Sequence, residues 1–249
     1  MHNLAADLRR FLDPLAVAHD LRIDPDPWQQ DLITSTDDRI LICASRQVGK
    51  STTTAMVAVN EALDDPGLII VASPSLQQSG ELFLKIKETL KVVKPAVEFE
   101  DESARRLRLS NNSRIVSLSG NESTARGYSG PKLILIDEAS RCSDELFAAL
   151  TPMLAASGGR LIALSTPNGR QGFFFNAWQN GGDGWRRFRI PATECPRISH
   201  QFLEEQLREM GPTRFASEFC CEFIDSDEAY FSSKLIEAAL TEDFQPLWM

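Results

Sequence analysis

The chain has 249 residues, 43% hydrophobic and 24% charged, with a formal net charge of −9. That length suits one large α/β domain, with or without a small appendage, and buries about 70–75% of the unfolded surface without a disulfide or metal staple. The acid surplus excludes a protein whose whole surface grips nucleic acid, so any DNA contact must be local. Five cysteines (Cys43, Cys142, Cys195, Cys220, Cys221) lack C-x-x-C spacing, and three scattered histidines suggest no zinc site, so reduced thiols are expected. No signal peptide is visible and no apolar run is long enough to span a bilayer, so no membrane association is expected.

Leu4, Leu8, Phe11, Leu12 and Leu15 recur near helical spacing over residues 1–22, interrupted by Pro14. Two prolines, Pro25 and Pro27, then give an extended stretch before Trp28 and Gln29 open a short helix. An aromatic ring to stack on a purine, followed by an amide able to pair with N6 and N7 of adenine, suits base reading. A tryptophan that simply packs at a helix start is the alternative, and residue type alone leaves both open.

Ile40 to Cys43 reads as a buried strand, followed by Ala44-Ser45-Arg46-Gln47-Val48-Gly49-Lys50-Ser51-Thr52 and an amphipathic segment with Met56, Val57 and Val59. Strand, phosphate loop, helix is the context that gives a G-x-x-x-x-G-K-[ST] pattern its meaning. Gly49 lets backbone N–H groups approach phosphate oxygens, and the helix N-terminus adds positive potential. Lys50 would reach the β- and γ-phosphates, and the Ser51 hydroxyl would ligate Mg²⁺. The loop is a variant: Ala44 stands at the first glycine position, which requires negative φ there, and Arg46 lies inside.

Leu68 to Ala72 is a β-branched run fit for a doubly covered parallel strand, followed by a helix through Leu82, Phe83, Ile86 and Leu90 with a lysine-rich face. Alternation on both sides of Asn111-Asn112 predicts an edge hairpin over residues 105–118. The loop from Ser119 to Pro131 carries Arg126 next to Gly127. Lys132-Leu-Ile-Leu-Ile-Asp-Glu138 then places two carboxylates at a strand's C-terminal tip, where ligands bind in open α/β sheets. Asp137 would hold Mg²⁺ and Glu138 would activate the attacking water. A further buried strand from Arg160 ends in Ser165-Thr166-Pro167, hydroxyls placed to sense the γ-phosphate. Phe173, Phe174, Phe175 and Trp178 form an apolar cluster. Trp185 to Ile190 reads as a further strand with a basic face, and two short helices over 199–223, broken at Gly211-Pro212, form a lid-like appendage.

In this order the set resembles the ATPase domain of the large terminase subunit of tailed bacteriophages. The residues that carry it are Trp28-Gln29, Ser45 to Ser51, Arg126-Gly127, Leu133 to Glu138 and Ser165-Thr166-Pro167. The resemblance implies a RecA-like (ASCE) P-loop NTPase, a doubly wound mostly parallel sheet with an edge hairpin and a small C-terminal helical lid. It implies ATP and Mg²⁺ as ligands, with Gln29 on adenine, Glu138 as general base, Ser165-Thr166-Pro167 as coupling motif and Arg46 as a loop arginine tied to nucleotide state. Arg126 resembles the arginine finger presented by a neighbouring subunit. The implied partners are double-stranded DNA, portal protein, the small terminase subunit and further copies in a ring, with a monomer in isolation as the alternative. The implied location is the cytoplasm of the infected bacterial host.

The expected layout is a helical segment over 1–24, an ATPase core over 25–195 and a lid and linker over 196–249. Nothing after the acidic stretch Asp225–Glu228 resembles a nuclease sheet, so an ATPase fragment without nuclease activity is expected. A helicase-type translocase shares these motifs but needs a second motor domain. A nucleotide-binding docking module without turnover is the rival of a different class, and it would have no use for Glu138.

Overall fold

The fold follows from how few residues its central strands leave to water. In a computed structural model that describes residues 12–94, 98–120, 127–225 and 239, eight strands form one sheet in the order β3-β4-β5-β2-β6-β7-β1-β8. These are β1 (Arg39–Ala44), β2 (Leu68–Ala72), β3 (Phe99–Glu102), β4 (Arg106–Leu109), β5 (Arg114–Leu118), β6 (Leu133–Asp137), β7 (Arg160–Ser165) and β8 (Arg186–Ile190). Strands β5, β2, β6, β7, β1 and β8 run parallel, while β3 and β4 add antiparallel pairs at one edge. Asn112 takes a positive φ of 70° in the β4–β5 turn, and the Asn111 carboxamide oxygen accepts from Ser113 N at 3.0 Å, so the two asparagines close the predicted hairpin.

Period-two alternation explains the unbroken apolar runs. Ile40, Ile42 and Ala44 of β1 join a core with Ile69 and Val71, beneath α2 (Pro27–Thr34), α3 (Lys50–Asp64) and α4 (Leu76–Val93). Leu41 and Cys43 join the opposite core with Ile70, Ile134 and Ile136, covered by α5 (Asp144–Leu150) and α6 (Gly172–Asn180). A strand covered on both faces has no polar side to show. The short α1 (Ala16–Asp20) packs Val17 and Ala18 on the first core, and Phe173 and Phe174 enter the second, as expected for the aromatic cluster.

The last element, α7 (His200–Cys220), starts from a Ser199 cap and is interrupted at Gly211, whose φ of 77° is not helical. Gly211-Pro212 thus divides it where two helices were expected. The first eleven residues, the Arg126 stretch and nearly all of the acidic tail lie outside the described residues.

Candidate active site

The C-terminal ends of β1, β6 and β7 gather the groups singled out in the sequence. Ala44 ends β1 with negative φ, as the variant loop requires, whereas Gln47 and Gly49 take positive φ of 65° and 96°. Val48 is buried in the core, and its neighbours Arg46 and Gln47 are exposed on the loop's outer side. Lys50 is the first residue of α3, and its Nζ donates to the carbonyls of Ala44 at 2.9 Å and Ser45 at 2.7 Å. Burial lowers its pKa, and the nearby Glu138 and Asp137 charges push the other way. Thr52 Oγ1 accepts from Lys85 Nζ at 3.3 Å.

Asp137 closes β6. Burial, and then the Glu138 charge, raise its pKa to about 6. Glu138 takes a left-handed backbone, φ 51°, and its carboxylate pairs with Arg141 Nη1 at 3.0 Å. The same Nη1 reaches Thr166 Oγ1 at 3.2 Å. Ser140 Oγ lies 2.7 Å from Ser165 Oγ and donates to Thr166 O at 2.8 Å. The turn after the two carboxylates is therefore stitched to the end of β7 through the hydroxyls of Ser140, Ser165 and Thr166 and the Arg141 guanidinium. Sequence reading missed Arg141, although its i,i+3 spacing from Glu138 is the signal that would have found it.

Trp28 is half-buried against the first core, and Gln29 is only 4% exposed. Both ends of the Gln29 amide are taken: Oε1 accepts from Asp26 N at 2.8 Å, and Nε2 donates to Thr53 Oγ1 at 2.9 Å. With Asp26 as N-cap this is a capping box for α2. Each end of a primary amide can make two hydrogen bonds, so these contacts orient Gln29 without exhausting it. Asp26 also receives both terminal nitrogens of Arg197, at 2.9 and 2.7 Å, and Arg197 Nη2 donates to Val48 O at 3.2 Å. Arg46 pairs with Glu218 of α7, and Ser217 Oγ donates to Pro167 O at 3.4 Å. Arg197 and Glu218 carry no local sequence signal, because each lies more than 170 positions from its partner.

Mg²⁺ takes oxygen donors and commonly one or two carboxylates plus substrate phosphates. Ser51 and Asp137 fit that donor set, and the raised pKa of Asp137 marks a buried carboxylate short of positive charge. No cluster of three or more His, Cys, Asp or Glu side chains able to hold a metal exists among the described residues. No helix among them is long and apolar enough to cross a membrane.

A phosphate loop opening α3, facing paired acids at the tip of β6 in an open parallel sheet, defines a P-loop domain of the RecA-like kind. The chain belongs to the family described as "Terminase large subunit, T4likevirus-type, N-terminal", whose model matches residues 41–238. A probable terminase large subunit of Enterobacteria phage P7 is 26% identical over 211 residues, 74% of this chain. The chain spans 42% of the length of that relative. Among solved structures, the Thermus phage P74-26 large terminase ATPase domain superposes with a TM-score of 0.74 at 21% identity, covering 83% of this chain and 97% of that one. The HK97 bacteriophage large terminase gives a TM-score of 0.58 at 19% identity over 73% of this chain and 42% of its own.

Proposed function

We propose that this domain hydrolyses ATP with Mg²⁺ and that the cycle drives double-stranded viral DNA into a procapsid. The observation that carries the reading is the placement of Lys50 at the head of α3 with the Asp137 and Glu138 carboxylates after β6 near enough for their charges to act on its ammonium. It is supported by the large terminase of a thermophilic bacteriophage, similar in fold at 15% identity, which has been solved with ADP and with ATP-gamma-S.

In this mechanism the loop amides and Lys50 hold the β- and γ-phosphates, and Ser51 and Asp137 hold the metal. The metal supplies charge neutralisation on the phosphates. Glu138 takes the proton of the attacking water once its carboxylate turns from Arg141 toward the cleft. Ser165-Thr166-Pro167 passes the change on, through Arg141 on one side and Ser217 on the other. Arg126 is the finger offered to the neighbouring copy in a ring. Portal protein, the small terminase subunit and the cytoplasm of the infected host complete the setting.

ATP turnover per subunit, measured against protein concentration with Glu138→Ala as blank, tests the reading. Turnover that climbs with concentration is expected. A rate no higher than the blank, with nucleotide still bound, leaves a docking module that binds without turnover.

A further inference from the structure

We propose that Arg197 is a positioning residue for nucleotide binding: its guanidinium fixes the Val48–Gly49 peptide so that the Gly49 N–H faces the phosphates. The proposal rests on the nucleotide-binding reading above and gives a task to a side chain that belongs to none of the sequence motifs.

Arg197 lies between β8 and α7, far along the chain from the phosphate loop. Its two terminal nitrogens close a fork on Asp26, Nη1 to Oδ1 at 2.9 Å and Nη2 to Oδ2 at 2.7 Å. Nη2 donates a second time, to Val48 O at 3.2 Å. Asp26 is itself tied into α2 as the N-cap, through the capping box with Gln29. The cation therefore reaches the loop from a braced position, and a planar fork holds one orientation where an ammonium on a flexible stem does not.

That third bond sets the direction of one amide. In a trans peptide the carbonyl and the N–H that follows it point opposite ways, and no described peptide is cis. With Val48 O drawn to Arg197, the Gly49 N–H points to the other side of the loop. The near side is walled: a Cβ built on Gly49 would meet Gln29 Nε2 at 2.8 Å and Arg197 Nη2 at 4.0 Å. Among the described residues nothing accepts from the Gly49 N–H, which joins the free amides at the head of α3 as a donor for an anion.

The loop needs such a hold. Val48 stands between two left-handed residues, Gln47 at φ 65° and Gly49 at φ 96°. Glycine accepts negative φ as readily as positive, so the peptide before it could turn over at little cost and aim a carbonyl at the phosphates instead. A surface ion pair that only ties the turn before α7 to α2 would explain the fork on Asp26. It would not explain the bond to Val48 O.

The test titrates ATP and inorganic tripolyphosphate, which lacks base and ribose, into the full chain with Mg²⁺. Arg197→Ala is expected to weaken both probes by the same factor, about tenfold, the loss of one well-aimed hydrogen bond to a charged group. Its ligand-free melting temperature is expected to stay within about 4 °C, because Arg197 is half-exposed. Arg197→Lys can donate to Asp26 or to Val48 O without forking across both, and is expected to fall between. In the ¹⁵N-labelled chain Gly49 is expected to give one amide resonance that shifts with tripolyphosphate, and a broadened or doubled one in Arg197→Ala. Unchanged affinity for both probes in either folded variant overturns the role and leaves the nucleotide reading intact. A loss for ATP alone does the same, since it places Arg197 on base or ribose. Failure of the unmodified chain to bind either probe overturns the nucleotide reading and the role together.

Discussion

Arg46 of the phosphate loop closes a two-point ion pair on Glu218 of α7, Nε to Oε2 at 2.7 Å and Nη2 to Oε1 at 3.4 Å. The hydrogen bond to Glu218 raises the Arg46 pKa, so the guanidinium stays charged in any usable buffer. If Arg46 answers to nucleotide state as proposed, a terminal phosphate entering the loop would compete with Glu218 for the same cation. Glu218→Gln should therefore tighten ATP binding severalfold while moving stability by less than about 1 kcal/mol, because Arg46 is largely exposed. Calorimetric titration checks this, and weaker binding would count against the competition.

Glu138 and Arg141 separate two kinds of loss. Under the proposed mechanism Glu138→Gln keeps the shape but removes the general base, so turnover should fall by roughly 10²–10⁴ with nucleotide affinity retained. Arg141→Ala leaves the base but unties it from Thr166. We expect kcat to drop about tenfold with KM within about twofold, and Arg141→Lys to recover part of the rate. A rise in KM alone would place Arg141 on the substrate instead.

Asp137 makes the site pH-sensitive in two opposite ways. Its folded pKa of about 6 lies above the ordinary 3.8. Between those values the folded state holds more protons than the unfolded one, so this residue's contribution to stability falls as pH rises and its penalty is complete above about 6. Metal binding needs the ionised carboxylate, so Mg²⁺-dependent nucleotide affinity should fall as pH drops through the same region. Asp137→Asn should raise the neutral-pH melting temperature, flatten its slope across the window and abolish the metal dependence. Thermal melts with and without Mg²⁺ and ADP read both effects.

Gly49 has φ 96°, and a Cβ built on it would meet Gln29 Nε2 at 2.8 Å. Gln29 cannot swing away without breaking its bonds to Asp26 and Thr53. Gly49→Ala should then cost about 1–3 kcal/mol, read as a lowered melting temperature, and should remove phosphate binding. An unchanged melt would mean the Gln29 amide is freer than its two bonds imply.

The trans role proposed for Arg126 is checked by mixing. Glu138→Ala and Arg126→Ala subunits, each inactive alone, should regain activity together, because some interfaces then carry both an intact base and an intact finger. Mixed rings of confirmed assembly that stay inactive would remove the role.

What could be read in advance divides along physical lines. The parallel strands were legible because strands buried on both faces must be apolar throughout, as Ile40 to Cys43 and Leu133 to Ile136 are. The β4–β5 hairpin was legible through its asparagine turn. The phosphate loop and the acid pair are local patterns whose chemistry requires a set spacing. Gln29 carries two messages in one residue: adenine reading by its company, and a helix-capping box by its distance from Asp26. Only the fold shows which bonds the amide makes. Arg46–Glu218 and Arg197–Asp26 each join residues more than 170 positions apart, and a charge on a polar surface carries no mark of its partner.

The break at Gly211 divides α7 into two arms that serve different neighbours. The second arm carries Ser217 and Glu218, which hold Pro167 at the end of β7 and Arg46 of the phosphate loop, so two ends of the site share one short helical segment. The non-helical glycine and the proline after it interrupt the hydrogen bonding between the arms, so a shift of the second arm is not carried rigidly into the first.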